Sequence, residues 1–348
     1  MSTHRRRLTV AGASVAACCA MLAVPTSPAS AAPVFPDGGK ITQSLSILTQ
    51  SSGGTTCDAS SYGLEPAIAD GVPVLENAGP ATASFTGHVD TTENGNPVGR
   101  ATVAVTARAS LSSVGGVPTT IDVGISGSGQ LPPSPSGGCQ RQVRVGTTTS
   151  FSFHTPVSGY LTFTMAHAGL SNGRVSISPK SGSLGGGDSA STTDAPGTST
   201  SRIFLAAGDY AGSIDAASAV STAVPNATGS FTAHGVFTPS GAQTVPISGK
   251  AAKYVALPGA VSCGTGQLTP AITAKKKRAG KIRDLTFYLG EQKVTKVKHP
   301  KKGQVVALPV PGTAPAELRV VVTLDPKGKG KGRKPKTAEA TASYEACS

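Results

Sequence analysis

The residues in this sequence that could do chemistry are few, and their spacing narrows what they could do. Beyond residue 31 there are four cysteines, Cys57, Cys139, Cys263 and Cys347, and in an oxidising compartment an even number reads as two disulfides. Four cysteines allow three pairings. Joining Cys57 to Cys139 and Cys263 to Cys347 confines each bridge to one of two halves that differ in charge. Each bridge would then close a loop of just over 80 residues, for which the chain-entropy model allows about 4 to 5 kcal/mol, usually less in practice. Zinc is the other chemistry open to four cysteines, but no C-x-x-C pair occurs.

Catalytic constellations are hard to find. Gly169-Leu170-Ser171-Asn172-Gly173 spells G-x-S-x-G, yet a hydrolytic serine needs a strand-to-helix elbow, a base and an oxyanion hole. This segment lies between two strand-like runs with no helical pattern after it, and reads as a turn. His88, His154, His167, His234 and His299 are scattered without ligand spacing, and no H-E-x-x-H, Walker A or dinucleotide fingerprint occurs. Asp188 and Asp194, in GGGDSASTTDAPG, could with Asp209 offer hard oxygen ligands to calcium. A solvated loop is the other reading of that segment. No catalytic residue, cofactor or metal site is assigned.

The basic clusters are the features with a ligand class attached. Lys275, Lys276, Lys277 and Arg278 fall between strand-like runs, Lys293, Lys296, Lys298, Lys301 and Lys302 surround a turn, and Lys327, Lys329, Lys331, Arg333, Lys334 and Lys336 form KGKGKGRKPK. Polycationic loops attract acidic polymers through counterion release, with affinity that falls steeply in salt. The candidate polyanion-binding residues are therefore Lys275 to Arg278 and the basic residues from Lys327 to Lys336. No stacking aromatics accompany them, which argues against sequence-specific nucleic-acid recognition. A solvated face that only aids solubility is the bland alternative.

Compartment and fold class set the frame for these groups. Arg5 to Arg7, the mostly apolar Leu8 to Val24, and Ala29-Ser30-Ala31 make the three parts of an export signal. A twin-arginine route is open alongside the general one, and Val15-Ala16-Ala17-Cys18 offers a lipobox that would anchor the chain through Cys18. The apolar stretch is broken by Thr9, Ser14, Cys18 and Cys19, whereas a spanning helix needs about 20 predominantly apolar residues. No transmembrane segment is expected, and the protein should be secreted or wall-associated. The chain has no Trp, 43 Gly and 26 Pro, with abundant Thr, Ser, Val and Ala, a mixture that fills strands and turns.

Charge divides the chain beyond the signal. Residues 32–243 hold 8 Lys plus Arg against 12 Asp plus Glu, a balance of −4, and residues 244–348 hold 20 against 6, a balance of +14. A boundary near PSGAQT, residues 239–244, fits this shift. In the basic part, runs at Lys253–Leu257, Leu268–Ala274, Ile282–Leu289, Gln292–Val297, Gln304–Pro309, Glu317–Leu324 and Thr337–Cys347 read as seven short strands. Gly290-Glu291 is the Gly-X pair of a type II′ hairpin. The pattern C…LTFYLGEQKV…VVALPVPG…LRVVVTLDPKGKG…ASYEAC, with Tyr344 three residues before Cys347, resembles the immunoglobulin-like modules that end many secreted actinobacterial proteins. That resemblance implies fold and surface location and transfers no catalytic residue.

Residues 32–243 are also strand-rich, with runs including Ala81–Val89, Arg100–Leu111, Gln142–Val145, Ser150–His154 and Tyr210–Asp215. Phe151-Ser152-Phe153, Gly159 to Phe163 and Leu205 to Tyr210 make residues 146–238 similar to the pre-peptidase C-terminal jelly-roll domain, an accessory module of secreted hydrolases. Ala81 to His88 echoes Ala227 to His234, and as strands both place Phe on one face and His on the other. The echo reads as a duplicated His site or as core Phe with surface His.

The expectation is all-β: two or three β-sandwich units, jelly-roll and immunoglobulin-like. Residues 1–31 are the signal, 32–243 one region or two divided near 146, and 244–348 the basic unit. The expected role is a non-catalytic envelope or extracellular binding protein that contacts an anionic polymer or surface. A secreted hydrolase of polysaccharide or peptide, with its site in the N-terminal region, is the alternative. Mass spectrometry of the exported protein should give a mature N-terminus at Ala32; a diacylated Cys18 would replace that reading with a lipid anchor.

Overall fold

The computed structural model describes residues 33–66, 70–169, 171–180, 188–191, 197–274, 281–325 and 335–347, and all the regular structure in them is strand. The basic segments 275–280 and 326–334 and the residues before 33 lie outside that set.

Two antiparallel sheets pack face to face. One, in spatial order β10 (Asp188–Ser191), β9 (Ser171–Pro179), β12 (Gly208–Ser221), β7 (Cys139–Thr155), β1 (Gly39–Ser51), β3 (Val72–Val74), has six strands. The other has seven, in the order β11 (Gly197–Leu205), β8 (Gly159–Ala168), β13 (Asn226–Pro239), β6 (Val117–Gln130), β5 (Asn96–Val114), β4 (Ala81–Glu93), β2 (Cys57–Glu65). Their period-two alternation makes the layer. Along β7, Val143, Val145, Phe151 and Phe153 point inward and are buried, while Gln140, Gln142 and Arg144 between them face water. Phe153 stacks on Tyr210 and tilts against Phe35 and Phe151.

Phe, Ile, Leu, Val and Ala side chains fill the interlayer, and at one place the sheets approach closely. A side chain on Gly127 of β6 would put its Cβ 1.9 Å from the Ser218 hydroxyl of β12, in the facing sheet. Glycine here lets the two sheets close on each other without a void, which matters because interiors pack to crystal-like density.

Residue 146, the point of division in the two-region reading, falls inside β7, and residues on both sides of it share one hydrophobic core. The runs Gln142–Val145 and Ser150–His154 are likewise parts of this single strand. The echoed segments are β4 and β13 of the seven-stranded sheet, separated by β5 and β6. Phe85 and Phe231 are buried in the core, and His234 is exposed. The G-x-S-x-G segment spans the end of β8 and the start of β9: Gly169 has φ of 67°, Ser171 opens β9, and no helix follows.

After a turn over residues 240–242 the chain builds a second core. Its main sheet has the order β14 (Gln243–Ser248), β22 (Lys336–Tyr344), β21 (Ala316–Leu324), β18 (Ile282–Leu289), β19 (Gln292–Lys298). Two short ladders complete it, β15 (Val255–Ala256) with β17 (Ala271–Ile272) and β16 (Gln267–Leu268) with β20 (Leu308–Pro309). Leu285 and Phe287 of β18 and Leu318, Val320 and Val322 of β21 are fully buried, as their alternation requires. Tyr344 is buried at the end of β22, where its hydroxyl donates to the Pro258 carbonyl at 3.1 Å and burial pushes the phenol up to about 12.

Disulfides join Cys57 to Cys139 and Cys263 to Cys347, one in each part. The parts adjoin. Gly241 N–H donates to the Ala346 carbonyl and Glu345 N–H to that of Ala242. Arg202 of β11 lies 3.7 Å over the Tyr160 ring and pairs with Glu345. Residues 32–348 together form one compact unit.

Gly127→Ala should destabilise the protein by about 1–3 kcal/mol in urea unfolding, since the added methyl has nowhere to go. Gly124→Ala on the same strand, where a Cβ meets nothing within 4 Å, should leave stability unchanged or slightly raised.

Candidate anionic-polymer interface

The strand register decides where the basic residues meet. β18 and β19 form an antiparallel hairpin through Gly290, whose φ of 56° fits the first position of a type II′ turn. At the other end of the same sheet, Ile282 is paired with Leu324, Leu324 with Lys336, and Asp284 with Lys298. The Asp325 N–H donates to the Lys281 carbonyl at 2.8 Å, and His299 N–H to that of Arg283 at 2.9 Å.

These bonds gather the ends of both basic segments. Lys281 follows residues 275–280, Asp325 precedes 326–334, and Lys336 comes just after. Lys298, Lys301 and Lys302 leave β19 at the same end. Of the predicted polyanion-binding residues, Lys336 is described and exposed. Lys275, Lys276, Lys277, Arg278, Lys327, Lys329, Lys331, Arg333 and Lys334 fall outside the described residues. Reasoning from sequence missed Lys281 as a member of the group; its place beside Asp325 is visible only through the ladder.

Acids occur at both ends of the sheet, with Asp284 and Asp325 at the basic one. Glu291 and Glu317 lie by the hairpin turn, and Glu345 pairs with Arg202 at the junction. At the basic end, Asp284 is 6 % exposed and sits 3.2 Å from both Lys296 Nζ and Arg283 Nε. Burial pushes its carboxyl upward, but hydrogen bonds from Thr323, Lys296 and Arg283, with the Lys296 charge, prevail and hold it below the ordinary carboxylate value. Lys296 and Arg283 are thereby partly neutralised. Among the described residues Lys281, Lys298, Lys301, Lys302 and Lys336 form no ion pair.

Carrying these charges costs the fold little. Lys336 and Lys298 start on strands three intervals apart, roughly 14 Å at the usual strand spacing, and exposed charges more than about 8 Å apart are largely screened at physiological salt. Lys293, Lys296 and Lys298 also line the outer edge of β19, where lysine discourages pairing with another sheet.

The remaining candidate groups are dispersed. His154 Nδ1 lies 2.9 Å from Asp209 on the outer face of the six-stranded sheet, and His234 pairs with Asp122 on the seven-stranded one. His167 is buried, with both ring nitrogens unpartnered among the described residues. Of the proposed calcium ligands, Asp209 is thus engaged by His154, Asp194 lies outside the described residues, and Asp188 belongs to β10. Among the described residues no three His, Cys, Asp or Glu side chains converge as a metal site would require.

No protein-family model matches the chain, and no curated protein matches it significantly. Among solved structures, the adhesin domain of Epf from Streptococcus pyogenes is similar at 9 % identity and a TM-score of 0.20, over 67 % of this chain and 81 % of that one. The basic end therefore stands on its own geometry.

Asp284 gives that geometry a pH signature. A carboxyl whose folded-state value is depressed contributes stability that is present above its unfolded value and lost as pH falls through the folded one. Asp284→Asn should cost about 1–3 kcal/mol near neutral pH, because it leaves two cations facing a neutral buried group. The difference from the parent in thermal or urea unfolding should shrink as pH drops below about 4.

Proposed function

We propose that this is a secreted, non-catalytic protein of the cell envelope or extracellular matrix, whose C-terminal immunoglobulin-like unit holds anionic polymers at its basic end. The observation that carries this reading is the meeting, at one end of one sheet, of Lys281, Lys298, Lys301, Lys302 and Lys336 with the anchors of both Lys-rich segments. Two further features support it. Lys281, Lys298, Lys301, Lys302 and Lys336 at the basic end outnumber its acids, Asp325 and the already paired Asp284. The two disulfides fit an oxidising compartment, and among the described residues no helix is long and apolar enough to cross a membrane.

The proposed contacts are electrostatic and non-specific. Lysines from Lys275 to Arg278 and from Lys327 to Lys336 neutralise phosphate, sulfate or carboxylate groups along the polymer and release its counterions. Teichoic acids, acidic polysaccharides, anionic lipid surfaces and extracellular DNA all offer this chemistry. No group in the reading acts on the polymer covalently.

Retention on heparin and on isolated cell walls at rising salt tests the proposal. The parent should elute late, with log affinity falling linearly in log salt. Replacing Lys298, Lys301, Lys302 and Lys336 with Gln should reduce that slope by roughly one per polymer contact removed. Replacing Lys327, Lys329, Lys331, Arg333 and Lys334 should reduce it further. Unchanged elution in both variants would refute the interface.

A further inference from the structure

A second binding surface lies on the other part of the molecule. The outer face of the seven-stranded sheet carries a groove of about 670 Å³ that crosses β4, β5, β6 and β13. Its size is within the roughly 300–1,000 Å³ common for ligand sites. Two cross-strand rows line it. Thr102 pairs with Gln130 and Gln130 with Asn226; in the next row Thr86 pairs with Ala104, Ala104 with Ser128 and Ser128 with Thr228.

The lining has a definite chemistry. Thr86, Thr102, Ser128, Gln130, Asn226 and Thr228 present hydroxyl and amide groups, and none of these side chains has a hydrogen-bond partner among the described residues. Each can both donate and accept. No charged side chain lines the groove and no large apolar one does. At the β4 end His88, the ladder partner of Thr102, lies 4.0 Å from Glu65, the ladder partner of Thr86; farther along, Arg100 is closed on Asp90 at 2.9 Å through two guanidinium nitrogens, and Ser61 also donates to Asp90.

These properties exclude ligands in turn. A polyanion would find no Lys or Arg among the lining residues, and an apolar molecule no large side chain to pack against. An added peptide strand needs free backbone groups at a sheet edge, but here the backbone is used in ladders on both sides of β5, β6 and β13. What remains is an uncharged molecule dense in hydroxyl groups. We propose that this groove binds a neutral polysaccharide, laid across the strands over the exposed Ala104, with the Thr, Ser, Gln and Asn side chains reading its hydroxyls. Four strands span roughly 14 Å, enough for a short run of sugar units. The strands hold these groups in regular register before any ligand arrives, which lowers the ordering cost of binding.

This surface is independent of the basic end, and one experiment separates them. The full exported chain is titrated calorimetrically with hexasaccharides of glucose, N-acetylglucosamine, xylose and mannose, at low salt and at high salt. At least one sugar should bind saturably, with affinity that salt does not change. Gln130→Ala with Asn226→Ala should weaken it about tenfold, the worth of two net hydrogen bonds. Ala104→Trp, on an exposed position outside the core, should abolish it by filling the groove, while Lys336→Gln should leave it intact. Failure of all four sugars to bind, or binding that survives Ala104→Trp in a folded variant, would overturn the proposal. Binding removed by salt would overturn it too, and would assign the contact to the basic end.

Discussion

The larger part is held by one apolar interior into which seven of the chain's nine Phe are drawn, although the whole chain has no tryptophan and only 4 % aromatic residues. A β-sandwich normally spaces its sheets about 10 Å apart and fills the gap with side chains. Here Gly127 and Ser218 face each other across the interlayer so closely that a methyl group would collide, and alanines and valines fill much of the rest. The strands are long and the sheets wide, with 19 residues in β5 and seven strands in one sheet. That width leaves two broad outer faces of Ser, Thr and other small polar residues, on one of which the neutral groove lies.

The C-terminal part is built differently. Its core is small, built on one five-stranded sheet and two short ladders, and a disulfide ties its last described residue back to Cys263. Charge is then sorted along the strands. Bases gather where β18 and β22 begin. The larger part is mildly acidic and its groove lined by uncharged side chains, so the two proposed contacts would differ in their response to salt.

Much of this was legible in the residues, for reasons that can be named. β18 occupies Ile282–Leu289 as its alternation predicts, and β21 differs by one residue, since both strands bury clean apolar stripes. β1 was not foreseen, because its inward row mixes Ile41, Leu45 and Ile47 with Gln43 and Thr49, which blurs the period. β7 read as two runs because Thr147 and Thr149 are buried between Val145 and Phe151, polar residues filling inward positions that apolar ones usually take. Lysine content was plain from the sequence, whereas convergence depends on pairings such as Leu324 with Lys336 that join residues distant in the chain. The groove left no motif at all, since its members lie on four strands and none is chemically unusual.

The short connection between the two parts has a mechanical meaning. Residues 240–242 are bonded to the last strand's exit, and Arg202 clasps Glu345 beside them, so the chain enters the C-terminal part at the end opposite the lysines. A pull between an anchored polymer and the rest of the molecule would therefore run parallel to β14, β21 and β22. Force in that direction shears the ladders, loading their hydrogen bonds together instead of peeling them one by one. Resistance to such a load is set by the unfolding rate and not by equilibrium stability.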